Sequence, residues 1–62
     1  MTPRERQILT CIADGLTDSE ISRHLVISEY TVKSHLKNLR RKLRADNRTH
    51  AVALALRSGV IV

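Results

Sequence analysis

Apolar residues recur along this chain at steps of three and four, and short polar signals interrupt them at regular intervals. The longest register is Val32, Leu36, Leu39 and Leu43, spaced by four, three and four. That spacing gives one buried stripe along a helix. At ~100° per residue, Tyr30, Ser34, Lys37 and Arg41 point away from the stripe, and Lys33, Arg40 and Arg44 line one flank of the outer face. Ile8, Leu9, Ile12 and Leu16 form an earlier stripe, and Ile21 with Leu25 a short one. Strand-like alternation is confined to the tail Val60-Ile61-Val62.

The polar signals set the boundaries. Thr2-Pro3-Arg4-Glu5 places Thr at an N-cap, Pro at the first helical position and Glu where it completes a capping box. Thr17-Asp18-Ser19-Glu20 repeats the device, with Leu16 and Ile21 placed as its hydrophobic staple. Ser28 and Asn47 are N-caps for two further helices, and Ile27 with Val32 is a second staple. Gly15 and Gly59 stop the first and last helices. The pattern predicts an all-α domain, bundle-like, with four helices at about 3–14, 18–25, 29–44 and 48–58, and no linker or repeat. A short helix, the turn Val26-Ile27-Ser28 and a longer basic helix make a helix-turn-helix.

The fourth helix is apolar nearly all round. If Ala51, Val52 and Ala55 face the core, Thr49, Ala53 and Leu56 make a second, outward stripe. Leu56 is then either one ordinary exposed leucine or part of a homodimer contact, and the second reading is favoured. The patch is small, so self-association through it should be weak.

Composition narrows the function. A chain of 62 residues makes one small domain. Eleven Lys and Arg against six Asp and Glu give a net charge of +5, which favours a polyanionic partner. No apolar run approaches the ~20 residues of a membrane span, and no signal peptide is visible. Cys11, the one cysteine, has no bridge to make; it fits a reducing compartment and a small apolar position at a helix flank. Tyr30 is the one aromatic residue, too few for single-strand or RNA binding by stacking. His24, His35 and His50 have no metal-ligand spacing, and no nucleophile–base set is evident, so neither an enzyme nor a cofactor is expected. His35 is expected to be packed and hydrogen-bonded.

At this point a resemblance enters. Thr2-Pro3-Arg4-Glu5-Arg6, Gly15-Leu16-Thr17, Glu20-Ile21, Ile27-Ser28-Glu29, Thr31-Val32-Lys33-Ser34-His35-Leu36, Arg41-Lys42-Leu43, and Arg48-Thr49 with Ala51-Val52 resemble the LuxR-type (GerE, NarL/FixJ) helix-turn-helix domain. The resemblance spans nearly the whole chain, in order. It implies double-stranded DNA binding for transcription regulation in a bacterial cytoplasm. It also implies a phosphoacceptor receiver or ligand-sensing domain ahead of this one in a longer protein, from which this domain is expected to derive, with a small regulator that stands alone as the alternative. Tyr30 departs from the family pattern, which commonly has a small residue there.

Residue chemistry and resemblance together give the candidate contacts. The N-terminal half of a recognition helix enters the major groove. Lys33 and Lys37, one turn apart, are expected to donate to guanine, with Ser34 as a weaker base or water-mediated contact. Thr17, Ser28, Tyr30, Thr31, Arg40, Arg41 and Arg44 are candidates for phosphate. Thr17 and Ser28 also serve as caps, whereas Thr31 has no cap to make. The arginines also complement the helix dipole and are otherwise solvated. Glu5 shares a face with Ile8 and Ile12, so its carboxylate should be paired, by the cap or by a cation of the third helix. The expected assembly is a dimer on paired half-sites. The rival is a protein-docking module whose basic face is only solvated.

Overall fold

The computed structural model describes residues 1–62. Four helices follow in order: α1 (Pro3–Ala13), α2 (Asp18–Leu25), α3 (Glu29–Leu43) and α4 (Arg48–Ser58). Both capping boxes form. The Thr2 amide donates to Glu5 Oε1 at 2.9 Å and the Glu5 amide to Thr2 Oγ1 at 3.1 Å. The corresponding Thr17–Glu20 distances are 2.8 and 3.2 Å. Ser28 accepts from the Thr31 amide, and Asn47 from the His50 amide. These caps satisfy amides that a helix start leaves without intrahelical partners.

Two helix ends, Leu25 and Ser58, fall where the pattern predicts them, and two, Ala13 and Leu43, fall one residue early. Gly59 caps α4 in the left-handed region, but Val26 (φ 57) and Arg44 (φ 56) take the same conformation after α2 and α3 without being glycine. A β-branched residue at positive φ is a steric outlier. At the first of these turns the amides of both Val26 and Ile27 donate to the Ser22 carbonyl. This closure turns the chain between α2 and α3 within three residues and aims α3. At the second, the Arg44 and Ala45 amides close onto the Arg40 carbonyl, so α3 stops at Leu43 and Arg44 lies outside the helix. Likewise α1 stops at Ala13, and Gly15 follows at φ +88.

The core is Ile8, Leu9, Cys11, Ile21, Val32, Leu36, Leu39, Ala51, Ala55 and Ile61. The stripe of α3 is buried through Leu39, with Leu43 half-buried at its end. Cys11 fills a small apolar position and is part of this core. Burial, and then the charge of Asp14, push its thiol above the ordinary range. Ala51 and Ala55 are fully buried, so α4 lies close to α1 and α3 where larger side chains would hold it off. The tail folds back, and Ile61 is buried over the end of α4. Three of the four helices, α1, α2 and α4, pack against α3.

Two ion pairs fasten the bundle. Lys42 Nζ of α3 lies 2.8 Å from Glu5 Oε1 of α1, where the carboxylate is 3% exposed. Arg48 of α4 meets Asp18 of α2 at 2.8 Å. No buried side-chain nitrogen or oxygen lacks a hydrogen-bond partner. The Glu5 carboxylate therefore serves as both cap and interhelical bridge.

Candidate nucleic-acid interface

The site follows from how α3 is held. Its apolar stripe is fixed by three neighbouring helices, which leaves the opposite face outward by helical geometry. Tyr30, Lys33, Ser34, Lys37, Arg40 and Arg41 are all exposed. From Tyr30 to Arg44 there is no carboxylate, and six of the chain's eleven Lys and Arg lie between positions 33 and 44. Of those six, only Lys42 pairs with an acid, Glu5. Lys33 and Lys37 bond to nothing within the chain, so both ammonium groups are available to a ligand.

The cations are gathered into two shallow depressions. One, of about 360 Å³, is lined by Lys33, Leu36, Lys37, Arg40, Asn47 and Arg48. The other, of about 540 Å³, is lined by Lys37, Arg40, Arg41, Arg44 and Ala45. Arg44 thus joins Arg40 and Arg41 from the turn after α3, although its left-handed backbone takes it off the helical register. The Arg40 guanidinium donates to the Asp46 carbonyl at 3.2 Å, which steadies it against the α3–α4 turn. Arg48 was not singled out by the sequence; its proximity to Lys33 depends on how α4 crosses α3, which no local spacing encodes.

The hydroxyl candidates divide. Ser28 and Thr31 stand together at the tip of α3, with their oxygens 2.9 Å apart. Thr31 is therefore part of the cap, contrary to the expectation that it had none to make. Its hydroxyl at the third helical position reaches back to the capping serine. Thr17 lies elsewhere, in a depression shared with Asp18, Glu29, Arg48 and Thr49. Tyr30 is 80% exposed and packs into none of the depressions. His35 is half-buried beside the stripe but makes no hydrogen bond within the chain, which corrects that expectation. His50 does make one, accepting from the Asp46 amide at 3.0 Å.

Thr49 and Leu56 of α4 are exposed, with Ala53 half-buried between them. Leu56 is 47% exposed. No group of His, Cys, Asp and Glu side chains is placed to hold a metal ion, and no helix is long and apolar enough to cross a membrane.

This arrangement can now be set beside known proteins. Residues 1–55 match the GerE family, described as bacterial regulatory proteins, luxR family. The chain belongs to the luxR family of bacterial regulatory proteins. It is a helix-turn-helix DNA-binding domain of that family. It is similar to the quorum sensing-dependent transcriptional regulator RpaR of Rhodopseudomonas palustris, with 56% identity over 98% of this chain and 25% of the relative. The CsgBAC operon transcriptional regulatory protein of Escherichia coli is 49% identical over 89% of this chain and 26% of that protein. Among solved structures, the response regulator ChrA of a heme-sensing two-component system superposes with a TM-score of 0.94. It is 40% identical over 97% of this chain and 30% of ChrA. These relatives are named as regulators, not enzymes. The chain spans about a quarter of the length of the curated relatives it matches.

Proposed function

We propose that this LuxR-family domain binds duplex DNA sequence-specifically, with the N-terminal half of α3 in the major groove, and regulates transcription as a dimer on paired half-sites. The observation that carries the reading is the pair Lys33 and Lys37. They are exposed, free of any acid, and one turn apart on the outward, cationic face of a helix whose back is locked into the core. Lys33 and Lys37 donate to guanine O6 and N7, and Ser34 adds a base or water-mediated contact. Arg40, Arg41 and Arg44 take phosphates on one side of the groove. Ser28, Thr31 and the Tyr30 hydroxyl take them at the α3 tip, and Thr17 at the start of α2.

Size supports the paired arrangement. The domain measures 27 Å along its longest axis, whereas successive major grooves on one face of DNA lie ~34 Å apart. Two half-sites therefore need two copies, and Thr49, Ala53 and Leu56 of α4 are the contact between them. The two curated relatives quoted are each more than three times as long as this chain. RpaR is named as quorum sensing-dependent and ChrA as a response regulator. We infer from them that a ligand-sensing or receiver domain accompanies this one and supplies its signal.

Selection of bound sequences from a random duplex pool tests the reading. A two-fold symmetric consensus with half-sites one helical turn apart is the expected result. An enriched pool without any consensus would contradict it. The protein-docking alternative separates by salt: phosphate contacts give a log–log decline of affinity with a slope of ~0.9 per phosphate neutralised, and apolar docking gives none.

A further inference from the structure

Tyr30 is the residue that the fold does not account for. It is the chain's one aromatic side chain, 80% exposed, in the first turn of α3. It makes no hydrogen bond within the chain and adds nothing to the core. An apolar ring left in water at that position has no structural return. It shares a helix face with Ser34 and Lys37, one turn nearer the helix tip. The tip leads into the major groove under the reading above, and this inference rests on that reading.

We propose that the Tyr30 ring is a specificity-determining contact that packs against the 5-methyl group of a thymine in the major groove, one step beyond the base pair faced by Ser34. The thymine methyl is the one apolar feature a base pair displays there, and an apolar side chain is its complement. A hydroxyl-to-phosphate contact uses only the tip of the side chain. The methyl contact also buries the ring, which the free protein leaves wet. The polar neighbours leave this role to Tyr30: Ser28 and Thr31 bond each other, and Lys33 and Lys37 reach donors, not apolar groups, to the bases.

The test uses the duplex enriched from the random pool, with each thymine replaced in turn by deoxyuridine, which removes only the methyl group. Affinities are measured for the wild-type chain, Tyr30→Phe and Tyr30→Ala. One replacement per half-site should weaken wild-type and Tyr30→Phe binding about fourfold, the effect of one buried methyl group. Tyr30→Ala should bind more weakly and be indifferent to that replacement. Because the ring is largely exposed and lies outside the core, all three proteins should melt alike. If no deoxyuridine position separates wild type from Tyr30→Ala, the ring contact is excluded while groove reading by Lys33 and Lys37 stands. If Tyr30→Phe behaves as Tyr30→Ala, the hydroxyl, not the ring, is what matters. A pool without consensus removes this inference together with the reading beneath it.

Discussion

Val26 ends α2 in a left-handed conformation with its side chain 89% exposed, so it suffers the steric cost of that backbone and recovers almost no packing. An L-residue there costs ~1–2 kcal/mol, and glycine returns part of that gain through its larger unfolded-state entropy. Val26→Gly should therefore raise stability by about 0.5–1 kcal/mol, read as a higher urea midpoint at unchanged slope. A lower midpoint would mean that the valine side chain supports the turn after all. Glu5 offers the opposite case. Burial alone would raise its carboxyl, but the Lys42 ammonium and the Thr2 amide more than offset this and hold its pKa at about 2. Its carboxyl is thus depressed in the folded state. It stabilises the fold above the ordinary carboxylate range, and that stability is lost as pH falls from there to about 2. Glu20, held down by the Thr17 amide, acts in the same direction from the surface. Glu5→Gln should cost about 1–2 kcal/mol at neutral pH and flatten the acid limb of a stability–pH curve. An unchanged acid limb would show that other carboxylates govern acid unfolding. The Glu5 alternatives were visible in the chain, since a carboxylate in line with Ile8 and Ile12 needs a partner. Which cation answers it was not, because Lys42 lies 37 residues away. Val26 was illegible for another reason: nothing in a valine announces positive φ.

At the scale of the helices, starts were far more legible than ends. Thr2, Thr17, Ser28 and Asn47 each act through a side chain bonded three residues on, so the signal is local and written in residue type. The α3 end was placed one residue late because Arg44 is a good helix former that tertiary closure puts in a left-handed turn. α4 followed its apolar pattern closely: Ala51 and Ala55 are buried, Val52 is half-buried, and Leu56 is left outside. The proposed dimer contact rests on that outward leucine. Leu56→Asp removes no core contact, and a negative charge near the end of α4 costs only ~0.3–1 kcal/mol through the helix dipole. The domain should stay folded, bind one half-site as before, and lose about tenfold on a duplex carrying two. Equal cooperativity for wild type and variant, measured by electrophoretic shift on one- and two-site duplexes, would remove α4 from the dimer contact.

Over the whole molecule, the cations of α3 and α4 divide between structural and free roles. Lys42 and Arg48 are drawn into ion pairs that hold helices together, while Lys33, Lys37, Arg41 and Arg44 remain unpaired on one surface. The sequence supplied the number of cations and the periodicity that separates Lys33 and Lys37 from Leu36. It could not supply the crossing of α4 that brings Asn47 and Arg48 into the same depression as those lysines. It also did not reveal that Thr17 lies apart, beside Asp18 and Glu29. Under the proposed reading, the small core and the α2–α3 turn serve one end, which is to present a cationic helix face rigidly to a groove. The most direct measurement of that claim is the affinity of Lys37→Ala, against wild type, for the enriched duplex and for a scrambled one at fixed salt. A base-reading lysine predicts a loss of ~1–3 kcal/mol on the enriched duplex, a much smaller loss on the scrambled one, and relaxed preference at one base pair. Equal losses on both duplexes would contradict it and make Lys37 a phosphate contact.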